Sequence, residues 1–269
     1  MFGAVSAVRF VGRRMSSAGV FVGLLGPFQI LKVGKPVSLR SGGKAEQLLS
    51  SLAVHPHVGV HHETLVEQIW PDTPLPLARQ CLHTLTHCLK TQLADALGGQ
   101  PPIVRIQNHY ALNLDGGLKV DVLEFESAAG VGGRLHSAGA TAAAIESYER
   151  AIILYRGDLT SWSDISGLLE RERLRALCLT TLARLADAHF ELANYAEALK
   201  SAVRLLAVDP CREDAHRMAM RAYVRSGARA QALRQYNLCR VILKDEFDAV
   251  PEPATQALFN LIRTDPGLV

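Results

Sequence analysis

Two stretches of this chain repeat a pattern of small and large residues at an offset of about 34 residues, the length of one helix-turn-helix hairpin. In LARLADAHFELANYAEALKSAVRLLAVDP (182–210), Ala186 and Ala193 stand at small positions, Tyr195, Ala198 and Leu199 follow, and Asp209-Pro210 closes the unit. The offset leads to HRMAMRAYVRSGARAQALRQYNLC (216–239), where Tyr223, Gly227, Ala232 and Tyr236 fall on repeat positions. AAAIESYERAIILYRGDL (142–159) is a looser copy, with Ala144, Tyr148 and Ala151. Small residues let paired helices approach, and large ones fill the seam. No such hairpin buries its face alone, so the hairpins must stack into a superhelical array with a groove suited to peptides or proteins. Helices are expected near 121–130, 137–156, 167–192, 195–208, 211–226, 229–246 and 253–264. GVGG at 130–133 follows a helical segment and lacks the spacing of a dinucleotide-binding loop; it is expected to link two helices.

The first half has a different rhythm. VFVGLLGPFQILKVGKPVSL (20–39) reads as three short strands punctuated by Gly26-Pro27 and Gly34-Lys35-Pro36. SGGKAEQLLSSLAVHP (41–56) reads as a helix with Leu48, Leu49 and Leu52 inward. Its GGK is not a phosphate loop, because Ser38 and Ala45 occupy positions that require Gly and Ser or Thr. HHETLVEQIWPD (61–72) gives a second amphipathic helix, with Leu65, Val66, Ile69 and Trp70 inward. Pro71, Pro74 and Pro76 then make a short stiff loop before a third helix at 77–97, stopped by Gly98-Gly99. PPIVRIQNHYALNL (101–114) gives two β-runs around Gln107-Asn108-His109, a hairpin. Strands, three helices and a hairpin, in that order, describe a winged helix-turn-helix, in which the third helix enters the DNA major groove and the hairpin is the wing. The fold class expected is therefore mainly α: an N-terminal winged helix-turn-helix with small β-sheets, then a C-terminal helical-repeat domain.

The third helix carries ARQCLHTLTHCLKTQL (78–93), with two cysteines and two histidines inside eight positions. At about 100° per residue, Leu82, Leu85, Leu89 and Leu93 define an apolar face flanked by Cys81 and Cys88. Arg79, Gln80, His83, His87 and Lys90 lie opposite. The four sulfur and imidazole groups do not converge as a tetrahedral metal site demands, so the cysteines are expected in the core and no metal is assigned. Arg and Gln can pair with guanine and adenine edges, and Lys or His can reach phosphate. An ordinary solvated helix face has the same composition.

Charge is distributed unevenly. The net +3 arises as +3 over residues 1–19, +1 over 20–115 and −1 over 116–269. Residues 1–19 carry Arg9, Arg13 and Arg14 without acid, but their arginines interrupt the apolar run a signal peptide needs. A flexible tail, or a true start at Met15, is expected. Five scattered cysteines fit a reducing cytoplasm, and no apolar run is long enough to span a membrane. No nucleophile–base pair, paired carboxylates or metal motif is found. An enzyme is not expected, and catalytic residues and cofactors are assigned to none. Seven of the ten histidines lie within 55–109, and their protonation in mildly acidic solution would add positive charge there. DNA affinity is accordingly expected to rise as pH falls.

Together the two halves resemble the Streptomyces antibiotic regulatory protein type of transcriptional regulator over about 20–265. LLGPFQI (24–30) and GKPVSL (34–39) resemble its opening strands, and HETLVEQIWPDTPLPLARQCL (62–82) its second helix, proline turn and recognition-helix start. ILYRGDL (153–159), ERERLRAL (170–177) and the hairpins up to QALFNLI (256–262) are similar to its bacterial transcriptional activator domain of tetratricopeptide-like helices. With the tail expected at 1–19, the resemblance implies a DNA-binding domain at 20–115 and an activator domain at 116–269. It also implies a cytoplasmic activator that binds double-stranded DNA at promoter repeats, recruits RNA polymerase and often acts as a homodimer. By position, Arg79, Gln80, His83, His87 and Lys90 occupy the recognition-helix face, and Asn108, His109 and Tyr110 the wing. The stretch HCLKTQ (87–92) holds a single Lys where the family is richer in Arg. Fewer phosphate contacts mean weaker binding at physiological salt. An adaptor that has lost DNA binding is the competing expectation.

Overall fold

A computed structural model of the chain describes residues 19–38, 43–56, 58–159 and 165–269. The expected tail, apart from Gly19, and His57 lie outside the described residues. The chain forms two compact units: residues up to 126 together with 153–175, and 127–152 together with 176–269.

In the first unit, β1 (Val20–Gly23), β2 (Gln29–Lys32) and β3 (Lys35–Pro36) form an antiparallel run. A further strand, β7 (Leu118–Val120), adds to β1 in parallel, giving the order β3-β2-β1-β7. Every residue of β1 is buried. That is why VFVG reads as an unbroken apolar run and not an alternation.

Three helices follow: α1 (Lys44–Val54), α2 (His62–Ile69) and α3 (Leu75–Leu93), the last continued by a 3-10 turn at Ala94–Leu97. They bury the stripes Leu48, Leu49 and Leu52; Leu65, Val66 and Ile69; and Ala78, Leu82, Leu89 and Leu93. α3 starts two residues earlier than expected. Pro76 sits in its first turn and not in the preceding loop, because an N–H there has no intrahelical acceptor and a proline loses nothing. The hairpin pairs β5 (Ile103–Ile106) with β6 (His109–Leu112) around Gln107-Asn108. A two-residue strand absent from the sequence reading, β4 (Val60–His61), pairs with β6 through Val60–Tyr110 and His61–His109.

The ILYRGDL segment folds in this same first unit. Leu159 is buried and bridges Leu25, and the Gly26 N–H donates to the Asp158 carbonyl at 3.2 Å. Gly26 has φ +90, and a Cβ there would lie 3.1 Å from the Arg156 carbonyl carbon. Only glycine accepts both the backbone conformation and the close approach.

The second unit is helical: the later part of α4 (Asp121–Ser137), most of α5 (Thr141–Leu154), the later part of α6 (Ile165–Glu191), then α7 (Tyr195–Val208), α8 (Glu213–Arg225), α9 (Arg229–Phe247) and α10 (Pro253–Thr264). The repeat positions read from sequence form its seams. Ala186, Ala198, Ala202, Met218 and Ala219 cluster with Phe190, Leu199 and Tyr223. Met220, Ala232, Leu258 and Ile262 make the next layer, where Tyr236 stacks on Phe259 with centroids 4.0 Å apart. The architecture is tetratricopeptide-like, and the molecule is mainly helical with small sheets at its N-terminal end, as expected. One local expectation is corrected: GVGG (130–133) lies inside α4 and does not link two helices. A Cβ on Gly132 would come within 2.5 Å of the Tyr148 ring, so this glycine is what lets a buried aromatic of α5 close on α4.

Candidate nucleic-acid interface

α3 owes its two faces to spacing. Ala78, Leu82, Leu89 and Leu93 recur at helical intervals and are buried, which turns the intervening positions outward. Arg79, Gln80, His83, His87 and Lys90 are all exposed on this one helix. Thr86 and Thr91 donate their hydroxyls to the backbone carbonyls of His83 and His87, at 2.9 and 3.0 Å.

The cysteines do not go where the helical wheel put them. Cys88 is exposed and Cys81 half-buried. Both line a cleft of about 460 Å³ with Lys44, Trp70, Leu77 and Leu85. The buried stripe of α3 is narrow, so residues flanking it, Leu85 among them, are covered only in part.

Arg79 forms an ion pair with the second helix. Its Nη2 donates to Oε1 of Glu63 at 2.7 Å. Glu63 lies in the first turn of α2, where its N–H reaches Nδ1 of His61 at 3.4 Å, the side-chain cap of that helix. The His61 ring in turn meets His109 of the wing edge-on, with centroids 5.3 Å apart. A line of contacts, one ring packing and two hydrogen bonds, therefore runs from wing to recognition helix through His61 and Glu63. Sequence reasoning nominated its two ends and missed Glu63. An acid sixteen positions from Arg79 is invisible until the turn between α2 and α3 is known.

In the wing, Asn108 is exposed and His109 partly so. Tyr110 is a correction: it is 8% exposed, because its register opposite Val60 points it inward while His109 and Ala111 point out. The exposed cation of the hairpin is Arg105, which sequence reasoning did not nominate. Its Nε donates to the Gln107 carbonyl at 3.0 Å and its guanidinium lies over the Tyr110 ring at 5.7 Å.

The bacterial transcriptional activator domain family matches residues 120–263. The regulatory protein AfsR of Streptomyces coelicolor is 26% identical over 262 residues, covering 96% of this chain. The transcriptional regulatory protein MoaR1 of Mycobacterium tuberculosis is 25% identical over 252 residues, covering 92% of this chain and 80% of MoaR1. Among solved structures, Mycobacterium tuberculosis EmbR, determined with a low-affinity phosphopeptide, superposes with a TM-score of 0.73 at 22% identity, covering 92% of this chain. The chain spans 26% of the length of AfsR and 65% of the EmbR chain. No described helix is long and apolar enough to cross a membrane. With a match over more than half its length, the chain belongs to the bacterial transcriptional activator domain family of regulatory proteins.

Proposed function

We propose that this protein is a cytoplasmic, sequence-specific DNA-binding transcriptional activator. In this reading α3 lies in the major groove, with Arg79 and Gln80 reading base edges and His83, His87 and Lys90 toward phosphate. The tip of the β5–β6 hairpin, with Asn108, His109 and Arg105, touches the adjacent backbone. Tyr110 supports the hairpin from within. The helical-repeat unit meets RNA polymerase at promoter repeats. The observation that carries the reading is the exposure of all five polar residues on one face of a helix held by two others and flanked by a wing.

Affinity is expected to be modest. On that face Arg79 is paired with Glu63 and Lys90 is the other permanent cation. The fewer phosphates a protein neutralises, the weaker its binding and the flatter the salt dependence.

Genomic footprinting of the tagged chain, followed by gel shifts on the enriched sites, tests the proposal. Arg79→Ala and Lys90→Ala should weaken binding, the former with relaxed sequence preference. Absence of enriched sites, with partner proteins still captured, would favour the adaptor reading. The same gel shift from about pH 7.5 to about pH 6 at fixed salt reads the contribution of the histidines; flat affinity excludes one.

A further inference from the structure

The glycine run GVGG borders a cleft into which two arginines reach. The cleft, of about 860 Å³, lies within the second unit, lined by Gly130, Gly133 and Arg134 of α4, Tyr148 of α5, and Arg184 and Glu191 of α6. Contact with the Tyr148 ring accounts for Gly132, but at Gly130 and Gly133 a Cβ would not meet that ring. With Arg134 these two recur at helical spacing, i, i+3 and i+4, on the face of α4 that borders the cleft. Glycine inside a helix costs stability. At Gly130 no neighbour demands it, since a Cβ would stand in ordinary contact, 3.5 Å from Arg134 Nη1. At Gly133 a Cβ would lie 3.0 Å from Arg184 Nη1. The two glycines thus bare the backbone of α4 and let two guanidiniums, one from each wall, lie along one turn of helix.

Among the described residues neither arginine forms an ion pair. The acid that lines the cleft is already engaged. Both Glu191 oxygens lie 3.1 Å from His136 Nε2, and Thr141 Oγ1 donates to one of them at 3.1 Å. These contacts tie the turn between α4 and α5 to the end of α6 and bound the cleft there. Two like charges side by side without an acid favour an anion between them. One guanidinium fork satisfies a planar carboxylate. A tetrahedral dianion offers oxygens in several directions and suits two guanidiniums from different walls. The cleft has the volume of a small-molecule site, so there is room for more than the anionic group. We propose that it binds a small molecule carrying a phosphate monoester, with the phosphate between Arg134 and Arg184 and the rest of the molecule along Gly130 and Gly133. The site belongs to the helical-repeat unit and uses none of the residues proposed to meet DNA.

Isothermal titration of the full chain with glycerol phosphate and with phenyl phosphate, without DNA and at fixed ionic strength, tests the proposal. Saturable binding is expected, with inorganic phosphate weaker than the esters. Arg134→Gln and Arg184→Gln should each weaken ester binding by about tenfold or more. Arg240→Gln makes the same charge change at an exposed position of α9 and should leave affinity unchanged. Gly130→Leu fills the cleft and favours the helix, so it should abolish binding without lowering the thermal midpoint, which separates loss of the site from loss of the fold. No heat with either ester beyond that of a matched chloride titration overturns the inference. So does binding that the Arg134 and Arg184 substitutions leave intact, or that Arg240→Gln weakens as much. Inorganic phosphate binding as tightly as the esters would overturn the assignment of an ester. Because no DNA is present, failure of operator binding elsewhere leaves these outcomes untouched.

Discussion

The Asp121 carboxylate, with no exposed surface, lies 3.3 Å from the Arg156 guanidinium and ties the first residue of α4 to the ILYRGDL segment. It also accepts the backbone N–H groups of Leu24 and Leu25 at 2.8 and 2.9 Å, and that of Val122 at 2.9 Å. The chain just after β1, the start of α4 and the segment after α5 thus share one buried anion within the first unit. Burial pushes the Asp121 carboxyl above the usual carboxylate range, while the Leu24 and Leu25 N–H groups and Arg156 act the other way.

Removing this carboxylate leaves buried donors without an acceptor. Asp121→Ala orphans the Leu24 and Leu25 N–H groups and leaves Arg156 with its donation to the Pro27 carbonyl alone, so about 3–5 kcal/mol of stability should be lost. Urea unfolding followed by circular dichroism checks it. A midpoint equal to that of the parent chain would mean that water replaces the carboxylate.

The glycines of GVGG separate packing from propensity. At Gly132 a Cβ would meet the Tyr148 ring at 2.5 Å, whereas at Gly130 the nearest atom is Arg134 Nη1 at 3.5 Å, ordinary contact. Gly132→Ala should cost about 1–3 kcal/mol by overpacking. Gly130→Ala should stabilise α4 by up to about 1 kcal/mol through helix propensity. Paired thermal melts of the two variants, shifting in opposite directions, are the expected result.

What the sequence made legible follows from how local each interaction is. The seams around Ala186, Ala198, Tyr223 and Ala232 lie within or between adjacent hairpins, so periodicity alone exposes them. β7 escaped because its partner is distant: Val20 pairs with Leu118, and a three-residue strand has too little pattern to announce itself. The exposed Cys88 marks a different limit. A helical wheel fixes directions, not what covers them, and on that flank α3 borders an open cleft toward Lys44 and Trp70. Tyr110 was legible in principle. Alternation across HYAL puts Tyr110 and Leu112 on the inner face. The glycine run misled because glycine signals a break by propensity, while here Gly132 serves contact with a side chain that follows in α5.

Glu63 restrains the recognition helix, and its removal should show that in DNA binding. The Arg79–Glu63 pair is about half exposed on both sides, so breaking it changes stability little. Glu63→Ala frees Arg79 and removes an anion from the face proposed to meet phosphate. Affinity for an operator should rise, and the slope of log K against log salt should steepen by up to about 0.9, because an unpaired Arg79 adds a positive charge to the face that meets DNA while it reads base edges. Gel shifts at three salt concentrations measure it. Unchanged affinity and slope would mean that Arg79 keeps away from DNA whether or not it is paired.

His216 should make the helical-repeat unit acid-sensitive. The ring is 1% exposed, with Nε2 at 2.9 Å from the Pro210 carbonyl and Nδ1 at 2.7 Å from the Gln235 amide nitrogen. A neutral ring protonated on Nε2 donates to the first and accepts from the second. A second proton, on Nδ1, would point at the Gln235 donor. Burial lowers the His216 pKa below its ordinary 6.5, overcoming the Pro210 carbonyl and the Glu213 and Asp214 carboxylates, which favour the charged form. The unfolded chain therefore takes up a proton that the folded chain refuses. Stability from this group is complete above the unfolded pKa and falls as pH drops through 6.5 toward the folded value. The slope is at most about 1.4 kcal/mol per pH unit. Chemical unfolding at pH values on either side of 6.5 should show the loss. His216→Gln, which cannot titrate, should show a shallower pH dependence whatever its starting stability. An equal slope in parent and variant would place the acid sensitivity in other groups.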